Sequence, residues 1–450
     1  MKFMILTLYP DMFNCSFSDS ILKRAQENGL IEIRTKNIRD FAEGKRRNVD
    51  DTPFGGGAGM LMSPKPLHGA ISWAKEQNPN SKVIYLSAQG KRFDQEKALK
   101  IAREQKDLIL VTGHFEGIDE RIVDSMVDEE ISIGDFVLTG GEIPAMCIID
   151  SVSRLLPNVI NEKSTEQESY SEELFFQREY PQYTRPADFM GQKIPEVLLC
   201  GDHQKIEDWR MSHIKGLSQA EKRVFNWRLS NFPKKGRKVE LRIFHRSDID
   251  HWLKYLNDEE VCRFLTISPP FTHEIEEEFY LSSIKDLNII PLSILDKKNS
   301  VPIGTLSLEI TKTNPHCARL GICIFNKDYW NNGYGTDALK TAIDFVFNDA
   351  DLKRVELMVF EDNKKAKHVY EKVGFKEVGL ANKKTLKNGK FINTYIMELI
   401  KDEGRITQGN RGIASLYKGK SSSKCSKDIH QRKNGRWSME NLYPSYTGQK

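Results

Sequence analysis

Three glycine-bearing segments, YLSAQGK (85–91), TGHFEGIDER (112–121) and SIGDFVLTGGEIPAM (132–146), each follow or end a short apolar run. In a parallel sheet, ligands sit beyond the carboxyl ends of the strands. Three such loops build one pocket whose walls are mainly backbone N–H and C=O. Walls of that kind suit a neutral adenosine better than a diphosphate, which wants a glycine-rich turn feeding a helix N-terminus. No GxGxxG fingerprint accompanies them. Any one loop alone would serve as a tight turn; the three together, with charged residues among them, point to a site.

A second set of residues lies far along the chain. DYWNNGYGTDALKTAIDFVF (328–347) puts two glycines at a strand-to-helix junction, with Thr336 and Asp337 in the first turn. Backbone N–H groups at a helix start attract phosphate. Thirty residues on, VFEDNKKAKHVYEKVGFKEVG (359–379) offers Asn363 as a helix cap and Tyr370 near that helix's end.

These residues need elements to position them. KFMILTL (2–8), IEIRT (31–35), KVIYLS (82–87) and DLILVTG (107–113) read as buried strands. DSILKRAQENG (19–29) and QEKALKIAREQ (95–105) read as the helices between them, and 142–156 as another, stopped by Pro157. Such alternation implies an α/β layer with a largely parallel sheet. The acidic stretch 161–179 has no core face and reads as a lid or linker, and PKKGRK (233–238) as an interdomain linker. From Val239 a second pattern begins: an antiparallel meander through 239–244, 289–296, 302–311 and 318–325, then helix 335–348, strand 354–360 and helix 363–373.

At 450 residues, two or more domains are expected. No apolar run approaches the roughly 18 residues that a membrane span needs, so no membrane partner is expected. Seven scattered cysteines, at 15, 147, 200, 262, 317, 323 and 425, fit a reduced cytoplasm. Residues 401–450 hold eleven Lys or Arg against four Asp or Glu, whereas the whole chain carries a net +4. That tail lacks hydrophobic periodicity and is expected to be disordered.

YLSAQG, GHFEGIDER, IGDFVLTGGE, VDDTPFGGGAGM (49–60) and PQYTRP (181–186) together resemble the bacterial tRNA (guanine-N1)-methyltransferase family of TrmD type, from Met1 to about Arg210. The resemblance implies a SPOUT α/β fold with a trefoil knot and a small helical C-terminal subdomain. It implies S-adenosylmethionine bent in the knot, cradled by Tyr85, Leu86, Ser87, Gln89, Gly90 and Gly113. Ile133, Gly134, Asp135, Phe136, Val137 and Leu138 complete the cradle, and Gly140 and Gly141 close over it. Guanine N1 must lose a proton before or during attack, and a carboxylate is the natural base. The family uses a lid Asp; the lid here reads STEQESYSEE and offers Glu168. Arg154 and Glu116 match the other active-site positions, and magnesium is associated with catalysis. The family works as a homodimer, which would place Glu168 in trans. Lys215, Lys222, Arg223 and Arg228 supply positive charge for tRNA phosphates.

The second set resembles the GCN5-related N-acetyltransferase (GNAT) superfamily over about 239–400. By that resemblance the diphosphate of acetyl-coenzyme A rests on Asn331, Asn332, Gly333, Tyr334, Gly335 and Thr336. Asn363 then bonds the pantetheine or its neighbour, and Tyr370 protonates the leaving thiolate. Trp330 stands where a Gln or Arg usually opens the phosphate motif, Glu309 is the candidate base, and the amine acceptor is unspecified. The expected domains are thus 1–160 with the knot, 161–180 as flexible lid, and 181–232 as small tRNA-binding subdomain. A linker at 233–238, the acetyltransferase domain at 239–400 and the tail follow. The rival reading is a catalytically weakened tRNA-binding scaffold whose main activity is the acetyltransferase.

Overall fold

A computed structural model describes residues 1–161, 163–265, 269–310, 314–387 and 390–401. The basic tail, from residue 402 on, lies outside the described residues. Contacts divide the chain into two units, Met1–Glu179 and Tyr180–Lys450.

In the first unit five parallel strands lie in the order Glu32–Asn37, Lys2–Thr7, Leu108–Thr112, Lys82–Arg92, Glu129–Ser132. Side chains alternate across a strand, so Phe3 and Ile5 enter one core while Met4 and Leu6 enter another. Helices Ser20–Glu27, Gln95–Glu104 and Glu142–Ser153 cover the first face, and Pro64–Gln77 and Glu120–Met126 the second. Burial on both faces explains the continuous apolar runs. The fifth strand, EEIS, is short and opens on two acids, which hides it from periodicity.

At the carboxyl ends the chain crosses itself. Strand Lys82–Arg92 pairs with Glu129–Ser132 over Ile84–Leu86, departs at 87–90, and pairs again through Lys91 and Arg92. The chain leaving Ser132 then returns to the end of Leu108–Thr112: Gly140 bridges His114, and the Gly141 N–H donates to the Gly113 carbonyl at 3.0 Å.

The lid differs from expectation. Within its acidic run Leu174, Phe175 and Phe176 are buried, and Tyr170, Phe175 and Phe176 adopt left-handed backbone conformations. The short LFF triplet buries its side chains, so this stretch packs rather than floats.

The second unit holds an eight-stranded sheet, from Lys234–Lys235 and Val239–Ile243 at one edge to Lys390–Ile400 and Lys376–Lys387 at the other. Neighbouring strands are antiparallel except Cys317–Ile324 against Arg354–Phe360. That parallel pair touches only through Cys317–Arg319 and Arg354–Glu356, and then the strands part. Lys234 and Lys235, expected within a linker, pair with Leu241 and Glu240 as the first strand of this sheet. Helix Gln219–Ser230 starts at a Ser218–Glu221 capping box and sends Val224 into the same core as Leu292 and Leu339. The helix therefore packs as part of the acetyltransferase-like body. Among the described residues no helix is long and apolar enough to cross a membrane.

Candidate functional site

Glycine shapes the first site at the strand crossing. A Cβ at Gly90 would meet the Ile131 backbone nitrogen at 2.5 Å, and one at Gly141 the Thr112 Cα at 2.8 Å. A Cβ at Gly113 would come 2.9 Å from the Tyr85 hydroxyl, and one at Gly134 would run into the Phe136 ring. Gly90 and Gly141 therefore sit where only glycine lets two backbones touch. The crossing gathers Tyr85 to Gly90, Gly113 and Ile133 to Gly141 at one end of the sheet, with Phe136, Val137 and Leu138 exposed. Burial pushes the Tyr85 phenol up to about 12, aided by the Glu130 charge, so the ring remains a neutral wall. A wall of backbone and apolar side chains with no dedicated anion site fits S-adenosylmethionine.

Beneath the crossing lies a network that sequence reasoning missed. Glu142, 2% exposed, accepts a hydrogen bond from the Thr7 hydroxyl at 2.7 Å, and the Thr112 hydroxyl lies 3.0 Å from the same oxygen. Its other oxygen bonds His114 Nε2 at 2.8 Å. One buried carboxylate thus ties together two strand ends and the loop carrying Gly140. In the sequence, Glu142 looked like an ordinary first-turn acid of a helix.

Glu116 lies against the glycine loop 55–59: a Cβ at Gly59 would come 2.8 Å from its carboxyl carbon, and its N–H donates to the Met60 carbonyl at 3.0 Å. Arg154 caps the carboxyl end of helix Glu142–Ser153 and grips Glu168 through two parallel bonds, Nη1 to Oε1 at 2.7 Å and Nη2 to Oε2 at 2.5 Å. Hydrogen bonding to Glu168 raises the Arg154 pKa above its ordinary value, against the effect of burial. Two of the three side chains expected to act in methyl transfer, Arg154 and Glu168, are thus together in one chain. Gly141 stands at the opposite end of the twelve-residue helix, about 18 Å along its axis at 1.5 Å per residue. Among the described residues no three His, Cys, Asp or Glu side chains converge to hold a metal ion.

Two of the four basic residues expected to reach phosphate are otherwise engaged. Arg228 is buried and donates to the carbonyls of Ile289 at 2.9 Å, Ile284 at 2.6 Å and Asp286 at 2.5 Å. Arg223 donates to the Pro315 carbonyl at 3.1 Å and stacks over Trp227. In a basic helix the sequence does not distinguish a solvated arginine from one buried against carbonyls.

The second site is a cavity of about 700 Å³ opened where the parallel strands part, lined by Leu320 to Phe325 and by Met358, Val359 and Phe360. Its floor includes Asn331, Gly333, Gly335 and Thr336, and its far wall Phe244, Trp252 and Phe279. Asn331 and Gly333 take left-handed conformations that turn the chain into helix Tyr334–Asp344. Trp330 donates from Nε1 to the Ile324 carbonyl at 2.7 Å and so fixes the turn. Asn363 lines the cavity and caps helix Lys364–Val373, accepting from the Ala366 N–H at 3.1 Å. Tyr370 also lines it, and burial pushes its phenol up, which keeps the proton that a general acid must give. A cavity that ends at the N–H groups of a helix start fits acetyl-coenzyme A. Glu309, the candidate base, pairs with Arg319 at 3.0 Å.

Residues 1–225 match the family model described as tRNA (Guanine-1)-methyltransferase TrmD, and residues 238–376 match the acetyltransferase (GNAT) domain. The chain belongs to the TrmD tRNA methyltransferase family, with the SPOUT fold, and carries a GNAT acetyltransferase domain behind it. A tRNA (guanine-N(1)-)-methyltransferase of Clostridioides difficile is 53% identical over 47% of this chain and 90% of its own length. One from Ruminiclostridium cellulolyticum is 56% identical over the same shares. A solved tRNA methyltransferase structure from Aquifex aeolicus is 35% identical, with a TM-score of 0.39, over 46% of this chain and 87% of its own.

Proposed function

We propose that the chain methylates N1 of the guanosine just 3′ of the anticodon in tRNA, and that its second domain acetylates an amine. The observation that carries the first activity is the strand crossing, closed by glycines that admit backbone only at Gly90 and Gly141. S-adenosylmethionine, when bound, supplies a methyl group on a sulfonium, which needs no further activation. The protein's task is the acceptor. As the new N1–methyl bond forms, the sulfur–methyl bond would break to leave a neutral thioether, and the N1 proton passes to the Glu168 carboxylate. The Arg154 guanidinium then lies free to offset negative charge growing on the purine oxygen.

Helix Glu142–Ser153 puts about 18 Å of axis between Gly141 and Arg154, which supports a second copy bringing its lid to the first copy's pocket. Exposed Val137 and Ile143 near the crossing give such a homodimer apolar surface. Lys215 and Lys222 remain candidates for tRNA phosphate contacts, and the enzyme acts where tRNA is found, in the cytoplasm. In the second domain the helix start at Gly333–Thr336 holds the diphosphate of acetyl-coenzyme A, Asn363 the pantetheine, and Tyr370 returns a proton to the departing thiolate.

The test is methyl transfer from labelled S-adenosylmethionine to unmodified tRNA transcripts carrying guanosine or adenosine after the anticodon. Label appearing as 1-methylguanosine only in the guanosine transcript supports the proposal. Donor binding without transfer would favour the weakened scaffold instead.

A further inference from the structure

We infer that the chain joining the two activities is itself a working part of the acetyl-coenzyme A site, with Lys238 as the positioning residue for the phosphate-binding turn. This rests on the acetyltransferase reading above and extends it to residues outside the usual motif.

The joining segment runs along helix Tyr334–Asp344 for its whole length. Lys234 pairs with Asp344 at 2.9 Å near the helix's far end and also with Asp349. Gly236 passes so close that a Cβ there would come 2.6 Å from Asp337 Oδ2. At the phosphate end, the backbone N–H groups of Lys238 and Val239 both donate to Asp337 Oδ2, at 2.7 and 3.1 Å. The Lys238 ammonium donates to the Asn332 carbonyl at 2.7 Å and lies 5.3 Å from the Tyr334 ring centre.

The last bond matters because a trans peptide is planar, with its C=O and N–H on opposite sides. Fixing the Asn332 oxygen toward Lys238 turns the Gly333 N–H the other way. Gly333, Gly335 and Thr336 line the cavity, whereas Lys238 grips the turn from outside that lining. Lys238 therefore sets the direction of a donor that a diphosphate needs without touching the diphosphate itself.

A second grip holds the cavity's other end. Arg228, in the helix where the methyltransferase family match stops, binds the carbonyls of Ser283 and Ile289, at 3.4 and 2.9 Å. Both of those residues line the cavity. Residues 219–239 thus brace the acetyl-coenzyme A site at two points.

The experiment titrates full-length protein with coenzyme A, dephospho-coenzyme A and pantetheine by calorimetry, using native chain, Lys238→Ala and Lys238→Arg. Losing one charge-assisted bond that orients a phosphate donor weakens binding about 10-fold. The expected result is that loss for Lys238→Ala with both diphosphate ligands, no change with pantetheine, and recovery in Lys238→Arg. Equal binding of all three ligands by Lys238→Ala and native protein, or an equal loss for all three, overturns the inference alone. A native chain that binds neither diphosphate ligand overturns the acetyl-coenzyme A reading, and the inference with it.

Discussion

Arg154 and Glu168 meet guanidinium to carboxylate through two bonds of 2.7 and 2.5 Å, fourteen residues apart in one chain. Two-point pairing of this kind fixes geometry as well as charge. It holds the lid's carboxylate at the carboxyl end of the helix whose amino end is capped by Gly141. To take a proton from guanine, Glu168 must exchange that arginine for the base.

Glu168→Gln removes the proton acceptor and keeps the shape. General-base catalysis contributes roughly 10²–10⁴-fold, so single-turnover methyl transfer should fall by at least about 100-fold while S-adenosylmethionine binding stays unchanged. Glu168→Asp should retain more activity than Gln. Calorimetric donor binding alongside quench-flow rates checks both halves of this outcome.

Gly141→Ala places a methyl group 2.8 Å from the Thr112 Cα, a backbone atom that cannot swing aside. Donor affinity should fall by at least about 10-fold, in line with the cost of overpacking a tight site. Gly56→Ala is the control: nothing lies within 4 Å of its Cβ, although its φ of +81° brings some local strain. Equilibrium binding of S-adenosylmethionine to both variants decides this.

Much of this is legible in the sequence. The apolar runs at 2–8, 82–87 and 107–113 are strands because a parallel sheet buries both faces, and the Gly-Gly pair at 140–141 marked a close backbone approach. What stayed hidden depends on distant partners. Glu142 is a buried hub only because Thr7, Thr112 and His114 converge on it. Arg228 is a core residue only because the 283–289 turn presents carbonyls to it. PKKGRK reads as a linker by composition, yet Lys234 and Lys238 find acids and a carbonyl about 100 residues later in the chain.

Tyr370→Phe removes the proton donor proposed for the departing thiolate while keeping the ring's packing against Phe375. Acetyl transfer to a panel of primary amines, followed as free thiol release, should drop by about 10²-fold or more. Because burial raises the phenol's pKa, the native enzyme should show no alkaline loss from this group as pH rises to 9. Unchanged thiol release by Tyr370→Phe would contradict the assignment, whereas an alkaline limb below pH 9 that disappears in Tyr370→Phe would contradict only the raised pKa.

Glu276 in helix His273–Lys285 is fully buried, and both carboxylate oxygens lack a hydrogen-bond partner. Burial pushes its pKa up from 4.5 to about 7. Below pH 4.5 the group is protonated whether the chain is folded or not. Between 4.5 and 7 only the folded chain holds the proton, and above 7 folding must bury a charge. Its contribution to stability is therefore lost as pH rises through about 7, by up to about 3 kcal/mol. Glu276→Gln should raise the melting temperature at pH 8.5 and leave it nearly unchanged at pH 4.5, read by calorimetric scans.

The most direct measurement mixes two defective chains. Glu168→Gln keeps a sound cradle, and Gly141→Ala keeps a sound lid, so neither homodimer has a complete site. If the lid of one copy serves the cradle of the other, co-refolded heterodimers contain one fully native site and recover 1-methylguanosine formation. Recovery to a sizeable fraction of the native rate is the predicted result. A mixture as inactive as its parents, with heterodimers shown to form, would contradict the account.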